Sequence, residues 1–319
     1  LKHISLILSE KCNLNCSYCY ITDKQSNKKI SFNIFKEEFE KIYDKSEEYR
    51  LDVMGGEPLL QMDLVNKFIE YGTKKKFSVK IMTNGMLLTH QIIENINKNN
   101  VTVSVSYDGL WQEERSKEYS TELINMIKTI NDLEVHSMWN GMKFNLTENH
   151  IFLKKLFGVE PQITMVRDIG IWNEKNIEQS KKSIDNLIKY SIDTNTIPGF
   201  LKHFLPHILR YHKKGYIPKD CGAGQTIISF HNNKFYSCYR YFDKEEMFEE
   251  EMKSDKRMYQ FCQGCEVYNY CEKGCLVQQL ENQKPIEYLC EMYKHIYNTL
   301  RININKLNKD EIVKMINYV

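Results

Sequence analysis

Ten cysteines, at positions 12, 16, 19, 221, 238, 262, 265, 271, 275 and 290, constrain this chain more than any other feature, because none falls between Cys19 and Cys221. Disulfides of a secreted protein spread among its loops, whereas clustered thiols in a reducing compartment point to metal. No apolar stretch reaches the ~18 residues a membrane helix needs, and the start Leu1-Lys2-His3-Ile4-Ser5-Leu6 lacks a signal-peptide pattern, so a cytoplasmic protein without a membrane partner is expected. Lys and Arg number 44 against 42 Asp and Glu, mixed along the chain. That balance leaves no basic stripe for neutralising phosphates, and nucleic acid is not expected as a partner. With 319 residues and 42% hydrophobic content the chain can bury one large core or two ordinary ones.

Apolar runs and helical periodicities alternate through the first part of the chain. His3-Leu8 reads as a strand leading into the first cysteines, and Phe32, Phe35, Phe39, Ile42 and Tyr43 recur at helical spacing. Leu51-Met54, Val79-Met82, Val101-Tyr107, Val135-Trp139 and Ile163-Val166 read as further strands, with helices between them capped near Asp63 and Thr89. Alternation of this kind implies an α/β fold with a parallel sheet and right-handed crossovers, either a curved partial barrel or an open doubly wound sheet. From Ile197 the texture changes, with Pro198, Pro206, Gly215 and Pro218 in sequence. We therefore expect a first domain over 1–195, a linker over 196–219 and a second domain over 220–319. The last segment, Met292 to Val319, reads as helix.

Cys12, Cys16 and Cys19 have the spacing C-x3-C-x2-C directly after the first strand, so tight turns can bring all three thiols to one metal centre. Structural zinc wants four ligands in a closed tetrahedron, and a zinc knuckle here would need a distant fourth. A 4Fe-4S cube held by three cysteines keeps one iron open. The run Cys12-Asn13-Leu14-Asn15-Cys16-Ser17-Tyr18-Cys19 resembles the signature of radical S-adenosylmethionine enzymes, with Tyr18 in the aromatic slot. The resemblance implies a partial (β/α)6 TIM-like barrel. It also implies S-adenosyl-L-methionine chelated to the open iron and cleaved to a 5'-deoxyadenosyl radical, with electrons from a flavodoxin- or ferredoxin-type donor. Met54-Gly55-Gly56-Glu57-Pro58 looks like the family's glycine-glycine-glutamate-proline motif, which contacts the methionine amino group; glycines allow close backbone approach and a carboxylate suits an ammonium. Ser106-Tyr107-Asp108-Gly109 resembles the family's serine-x-aspartate-glycine turn, placing Ser106 near the cofactor, and Asn84 occupies the place of a ribose-proximal polar residue. Arg115 is the candidate partner of the cofactor carboxylate.

The remaining cysteines read Cys221-x16-Cys238, then Cys262-x2-Cys265-x5-Cys271-x3-Cys275, then Cys290. Paired spacings of this kind also suit a zinc ribbon. The middle block is similar to the SPASM extension of radical S-adenosylmethionine enzymes, a small cysteine-rich domain holding two auxiliary 4Fe-4S clusters. Carried over by position, the resemblance assigns Cys262, Cys265, Cys271 and Cys290 to one cluster. Cys221, Cys238 and Cys275 are left for the other, one ligand short. Three clusters in all are implied, and no thiol remains over. Asn233 stands where the family has a glycine five residues before its second cysteine, and Asn tolerates a left-handed turn. His203, His207 and His212 read as packing residues rather than ligands.

SPASM-bearing enzymes act mostly on peptides, so a ribosomally synthesised precursor peptide is the expected substrate. A thioether or carbon-carbon crosslink is the expected product, because no spare cysteine remains as hydrogen donor, which leaves Tyr as the donor in the epimerisation alternative. The alternatives are peptide epimerisation, anaerobic sulfatase maturation to formylglycine, and radical chemistry on a small molecule. Sulfatase maturation is disfavoured, since Tyr239 follows Cys238 where that subfamily has an aspartate base. No leader-binding winged helix fits ahead of Ile4, so the barrel and extension or a separate leader-peptide-binding protein is expected to hold the substrate. A non-catalytic metal-binding role is the competing reading from another class.

Overall fold

The computed structural model describes the chain apart from residues 22, 27, 116, 142, 144, 168–171, 216–221, 242–258, 283 and 319. Its strands are β1 (Lys2–Ile7), β2 (Tyr49–Met54), β3 (Ser78–Thr83), β4 (Thr102–Ser106), β5 (Leu133–Trp139), β6 (Gln162–Met165), β7 (Ile227–His231) and β8 (Lys234–Tyr236). Two compact units interleave along the chain, Leu1–His136 with Gly222–Met252, and Ser137–Cys221 with Lys253–Val319. Among the described residues, no helix is long and apolar enough to cross a membrane.

In the first unit the strands lie in the order β5-β4-β3-β2-β1-β7-β8, and β1 to β5 are parallel. Spatial order therefore follows chain order from β1 to β5. A doubly wound sheet reverses its order at a switch point, whereas a singly wound one keeps all its right-handed crossovers on one side. The topology is that of the partial barrel, which periodicity alone left undecided. Helices α1 (Phe32–Glu40), α2 (Met62–Lys75), α3 (His90–Lys98) and α4 (Thr121–Ile127) supply the crossovers. Ser31 and Thr89 cap α1 and α3 by accepting from the Ile34 and Ile92 N–H groups. Asp63 stands inside the first turn of α2 rather than at its cap, where the charge still favours the helix N-terminus.

The two faces of this sheet differ in chemistry. Ile4, Leu6, Leu51, Val53, Ile81, Val103, Val105 and Val135 are fully buried on one face, the period of two that a strand imposes. On the other, Asp52 accepts from Arg50 Nε at 2.7 Å and lies 3.3 Å from His3 Nδ1, and Lys80 pairs with Glu134. Phe35 packs edge-on to Phe68 of α2 and Phe230 of β7, with ring centres 5.1 and 5.3 Å apart, and so fastens the β7-β8 hairpin to the helical layer. That hairpin turns at Asn232 and Asn233, both left-handed at φ 49° and 59°, and the Asn233 side chain accepts from the Ser31 N–H at 2.7 Å.

In the second unit β6 lies beside β5, and the helices are α5 (Leu146–Phe157), α6 (Glu174–Thr194), α7 (Gly199–Lys214), α8 (Leu276–Asn282), α9 (Glu287–Asn303) and α10 (Lys309–Tyr318). Much of the stretch expected as a linker is thus the helix α7. Pro198 caps it, and Pro206 interrupts it without ending it, because Phe200, Leu201, Phe204, Leu205 and Ile208 bury a continuous stripe. The terminal segment is two helices: the chain leaves α9 at Asn303, and the Asn308 side chain accepts from the Glu311 N–H to start α10. Helix α9 packs on α6 and α7, through Lys181–Glu291 at 3.2 Å, Asp185–His295 at 2.7 Å and Phe204–Tyr297 ring centres 5.5 Å apart.

Candidate functional site

The first cysteine loop leaves the C-terminal end of β1 and is fastened on three sides. At its root, the N–H groups of Gly56 and Glu57 donate to the carbonyls of Ser9 and Lys11, both at 2.9 Å. The approach is so close that a Cβ on Gly55 would lie 2.5 Å from the Ser9 oxygen, and one on Gly56 2.3 Å from that of Glu10. Gly55 also has φ +149°, so the glycine pair is needed to seat the cysteine loop on the end of β2. Within the loop the Cys19 N–H donates to the Cys16 carbonyl at 3.2 Å, and the Leu14 N–H reaches the Cys12 sulfur at 3.4 Å. At the far side, the Ser17 N–H donates to the Glu114 carbonyl at 2.9 Å, and the Ser17 hydroxyl to the Glu114 side chain.

Burial pushes the Cys12 and Cys16 thiols up, and the neighbouring Cys19 adds to both. Cys12 and Cys16 therefore resist ionising unless a cationic group joins them. Their softness and their shared loop fit an iron-sulfur cluster.

Glu57 is only 1% exposed and is held by three donors: the Leu59 N–H at 3.0 Å, the Thr83 hydroxyl at 2.7 Å and the Asn84 N–H at 2.8 Å. Burial raises its pKa and those bonds oppose the rise. The carboxylate therefore ties the end of β2 to the end of β3. Asn84 Nδ2 in turn donates to Asn13 Oδ1 at 2.7 Å and stands 3.9 Å from the Cys12 sulfur.

Tyr18 donates its hydroxyl to Asp108, a fully buried carboxylate that also lies 3.1 Å from Arg115 Nε. The guanidinium carbon sits 5.6 Å over the Tyr18 ring. Arg115, itself buried, is thus engaged by a carboxylate of this chain. Ser106 ends β4 half-buried, and its carbonyl accepts from the Tyr119 hydroxyl at 3.1 Å. The same hydroxyl donates to the Asn84 carbonyl. His136, paired in register with Ser106, has its pKa pushed down to about 4 by burial and by Arg115 and Lys80. It is neutral near pH 7. Asp108 was legible as part of the Ser-x-Asp-Gly turn, although nothing in sequence gave its partners; Tyr119 and His136 carry no signal in the sequence.

Of the later cysteines, Cys221 lies outside the described residues. Cys238 belongs to the first unit, where the Arg240 N–H reaches its sulfur at 3.5 Å. Beside it Tyr239 packs on Tyr20, the residue after Cys19, with ring centres 5.5 Å apart. In the second unit Cys262, Cys265, Cys271 and Cys290 line one pocket with Val267, Lys273 and Tyr293, while Cys275 leads into α8. Among the described residues no group of three or more His, Cys, Asp or Glu is tight enough to hold one metal ion; these four thiols stand around a pocket instead. Burial, with Cys262 adding, pushes Cys271 up to about 12 and Cys290 up to about 11. Four soft donors that repel one another as thiolates fit a cationic iron-sulfur core. His207 is buried 3.3 Å from Glu272 in the same unit, paired with that carboxylate rather than set among the thiols.

Residues 6–149 match the Radical SAM superfamily. The radical SAM cyclopropyl synthase TigE of Paramaledivibacter caminithermalis is 25% identical over 353 aligned positions, covering 94% of this chain and 74% of TigE. The antilisterial bacteriocin subtilosin biosynthesis protein AlbA of Bacillus subtilis is 23% identical over 242 positions, 71% of this chain and 52% of AlbA. The solved structure of native anSMEcpe with bound AdoMet and Cp18Cys peptide covers 99% of both chains at a TM-score of 0.68 and 15% identity, which establishes the shared fold. With its cysteine loop seated on a singly wound parallel sheet, the chain carries the features of a radical SAM enzyme over the matched residues 6–149.

Proposed function

We propose that this enzyme modifies a ribosomally synthesised peptide and closes a thioether or carbon-carbon crosslink in it. The observation that carries the reading is the second thiol set, Cys262, Cys265, Cys271 and Cys290 around one pocket, in addition to the three thiols of the first loop. Closing a crosslink removes two electrons from the peptide, so a further redox centre has work to do. TigE, by name a cyclopropyl synthase, and AlbA, by name a bacteriocin biosynthesis protein, support both halves of the reading.

In this proposal Cys12, Cys16 and Cys19 hold the first cluster, and Tyr18, Gly55, Gly56, Glu57, Asn84, Ser106 and Arg115 surround S-adenosylmethionine. Once bound, the cluster and cofactor supply a primary carbon radical that takes a hydrogen atom from an unactivated C–H bond. The protein's part is to orient and to exclude water. Glu57, whose oxygens are already taken by Leu59, Thr83 and Asn84, acts through the backbone it fixes. Arg115, paired with Asp108, offers the remaining edge of its guanidinium to a carboxylate. The four-thiol pocket holds one auxiliary cluster of a SPASM extension.

Anaerobic co-expression with the short peptide encoded beside this chain, followed by tandem mass spectrometry, tests the proposal. A crosslinking enzyme removes a pair of hydrogens and suppresses fragmentation between the joined residues. Unchanged mass with deuterium gained from heavy water would mean epimerisation instead.

A further inference from the structure

Lys273 is both strained in its backbone and buried in the second unit. It has φ +62°, a conformation that costs a non-glycine residue free energy, and it is only 5% exposed, where an ammonium is costly to bury. Such strain persists only where the surroundings enforce it. Here they do, because the buried Gln279 side chain donates to the Lys273 carbonyl and the Lys273 N–H reaches the Cys271 sulfur at 3.3 Å. The side chain turns inward: Nζ donates to the Tyr268 carbonyl at 2.7 Å and lies 4.3 Å over the Tyr268 ring. Lys273 thereby lines the same pocket as Cys262, Cys265, Cys271 and Cys290. The neighbouring carboxylate of Glu272 is engaged by His207 at 3.3 Å.

We propose that Lys273 is a positioning residue of charge, whose buried ammonium raises the reduction potential of the iron-sulfur cluster held by Cys262, Cys265, Cys271 and Cys290. The inference rests on the reading that this pocket holds such a cluster. A thiolate-ligated cube becomes more negative by one charge when it takes up one electron, and no bond is made or broken. A cation fixed in a low-dielectric wall stabilises that reduced form more than the oxidised one, and an N–H to a ligand sulfur acts in the same direction. A glycine at 273 would suit the backbone better, so the gain from lysine has to lie in its side chain. The raised potential makes the site a better acceptor for the electron that leaves the peptide during crosslinking.

The test is an EPR-monitored redox titration of the reconstituted full chain, with Cys12, Cys16 and Cys19 replaced by Ala to remove the first cluster's signal. Lys273→Met removes the charge at similar length, Lys273→Gly removes the charge and relieves the φ, and Lys273→Arg keeps the charge. The Met and Gly variants are expected to shift one auxiliary midpoint downward, by a tenfold or greater change in the oxidised-to-reduced ratio at fixed potential, about 59 mV for one electron. The Arg variant should stay near the parent. Equal midpoints in parent, Met and Gly proteins that all retain iron overturn the proposal while leaving the cluster reading intact. A parent in which Cys262→Ser and Cys290→Ser leave the iron content unchanged overturns the cluster reading and the proposal together.

Discussion

Arg115 Nε lies 3.1 Å from the Asp108 carboxylate, and both groups are buried beside the ring of Tyr18 in the cysteine loop. Two segments far apart in sequence, the cysteine loop and the stretch after β4, meet at that pair, so the loop is braced by an ion pair as well as by its own turns. A buried pair of this kind is costly to break because the surviving charge has no partner.

Asp108→Ala is expected to destabilise the fold by about 3–5 kcal/mol, the range for one half of a buried ion pair. Replacing both partners, Asp108→Leu with Arg115→Met, should recover much of the loss in urea unfolding of the iron-free protein. Equal losses in the single and double variants would show that the pairing is not what matters.

Gly56→Ala places a methyl 2.3 Å from the Glu10 carbonyl oxygen, so the root of the cysteine loop must move. Iron bound at the first site should fall several-fold on reconstitution. Gly158→Ala, at φ +75° with open space around it, is the comparison and should cost only about 1 kcal/mol with iron unchanged.

Glu57→Gln leaves one acceptor oxygen where three donors converge and puts an NH2 group against the others. Stability should drop by about 1–3 kcal/mol. Because Asn84 is displaced with it, the Kd for S-adenosylmethionine, measured calorimetrically on the iron-loaded protein, should rise; an unchanged Kd would separate Glu57 from the cofactor.

Serine at Cys262 or Cys290 should remove one cluster's worth of iron while S-adenosylmethionine cleavage to 5'-deoxyadenosine continues. Serine at Cys12 should abolish that cleavage. Chromatography of the products under anaerobic, reducing conditions distinguishes the two, and loss of cleavage in the Cys262 variant would contradict the division of labour between the thiol sets.

Burial raises the Asp52 carboxyl, but the bonds from His3 and Arg50 outweigh it and hold the group below the usual carboxylate range. A lowered folded pKa contributes stability that is present above the unfolded value of about 3.9 and is lost as pH falls through the folded value. Asp52→Asn should therefore cost about 1.5–3 kcal/mol at pH 7, the worth of hydrogen bonds to a charged group, with the difference shrinking below about pH 4. A difference that stays constant across that range in urea titrations would assign the effect to packing.

The strand-helix alternation, the cysteine loop after β1 and the glycine pair after β2 were all legible in the residues, because each is written in local spacing: a period of two or 3.6, a tight turn, a residue without a Cβ. The sequence did not choose between a partial barrel and a doubly wound sheet, since that depends on which strand lies beside which, and the order β1 to β5 appears only in the hydrogen-bond register. Nor could it show that the proline-punctuated stretch is the helix α7, whose apolar stripe outweighs a local breaker once neighbouring helices bury it. Glu57 was legible as a motif residue, yet its three donors come from the ends of two strands and fix it as a brace. Arg115 was legible as a cation, and Asp108 became its partner only through the fold. Lys273 looked like any surface lysine in the sequence; backbone strain and burial, which are properties of three-dimensional packing, turned it toward the thiols.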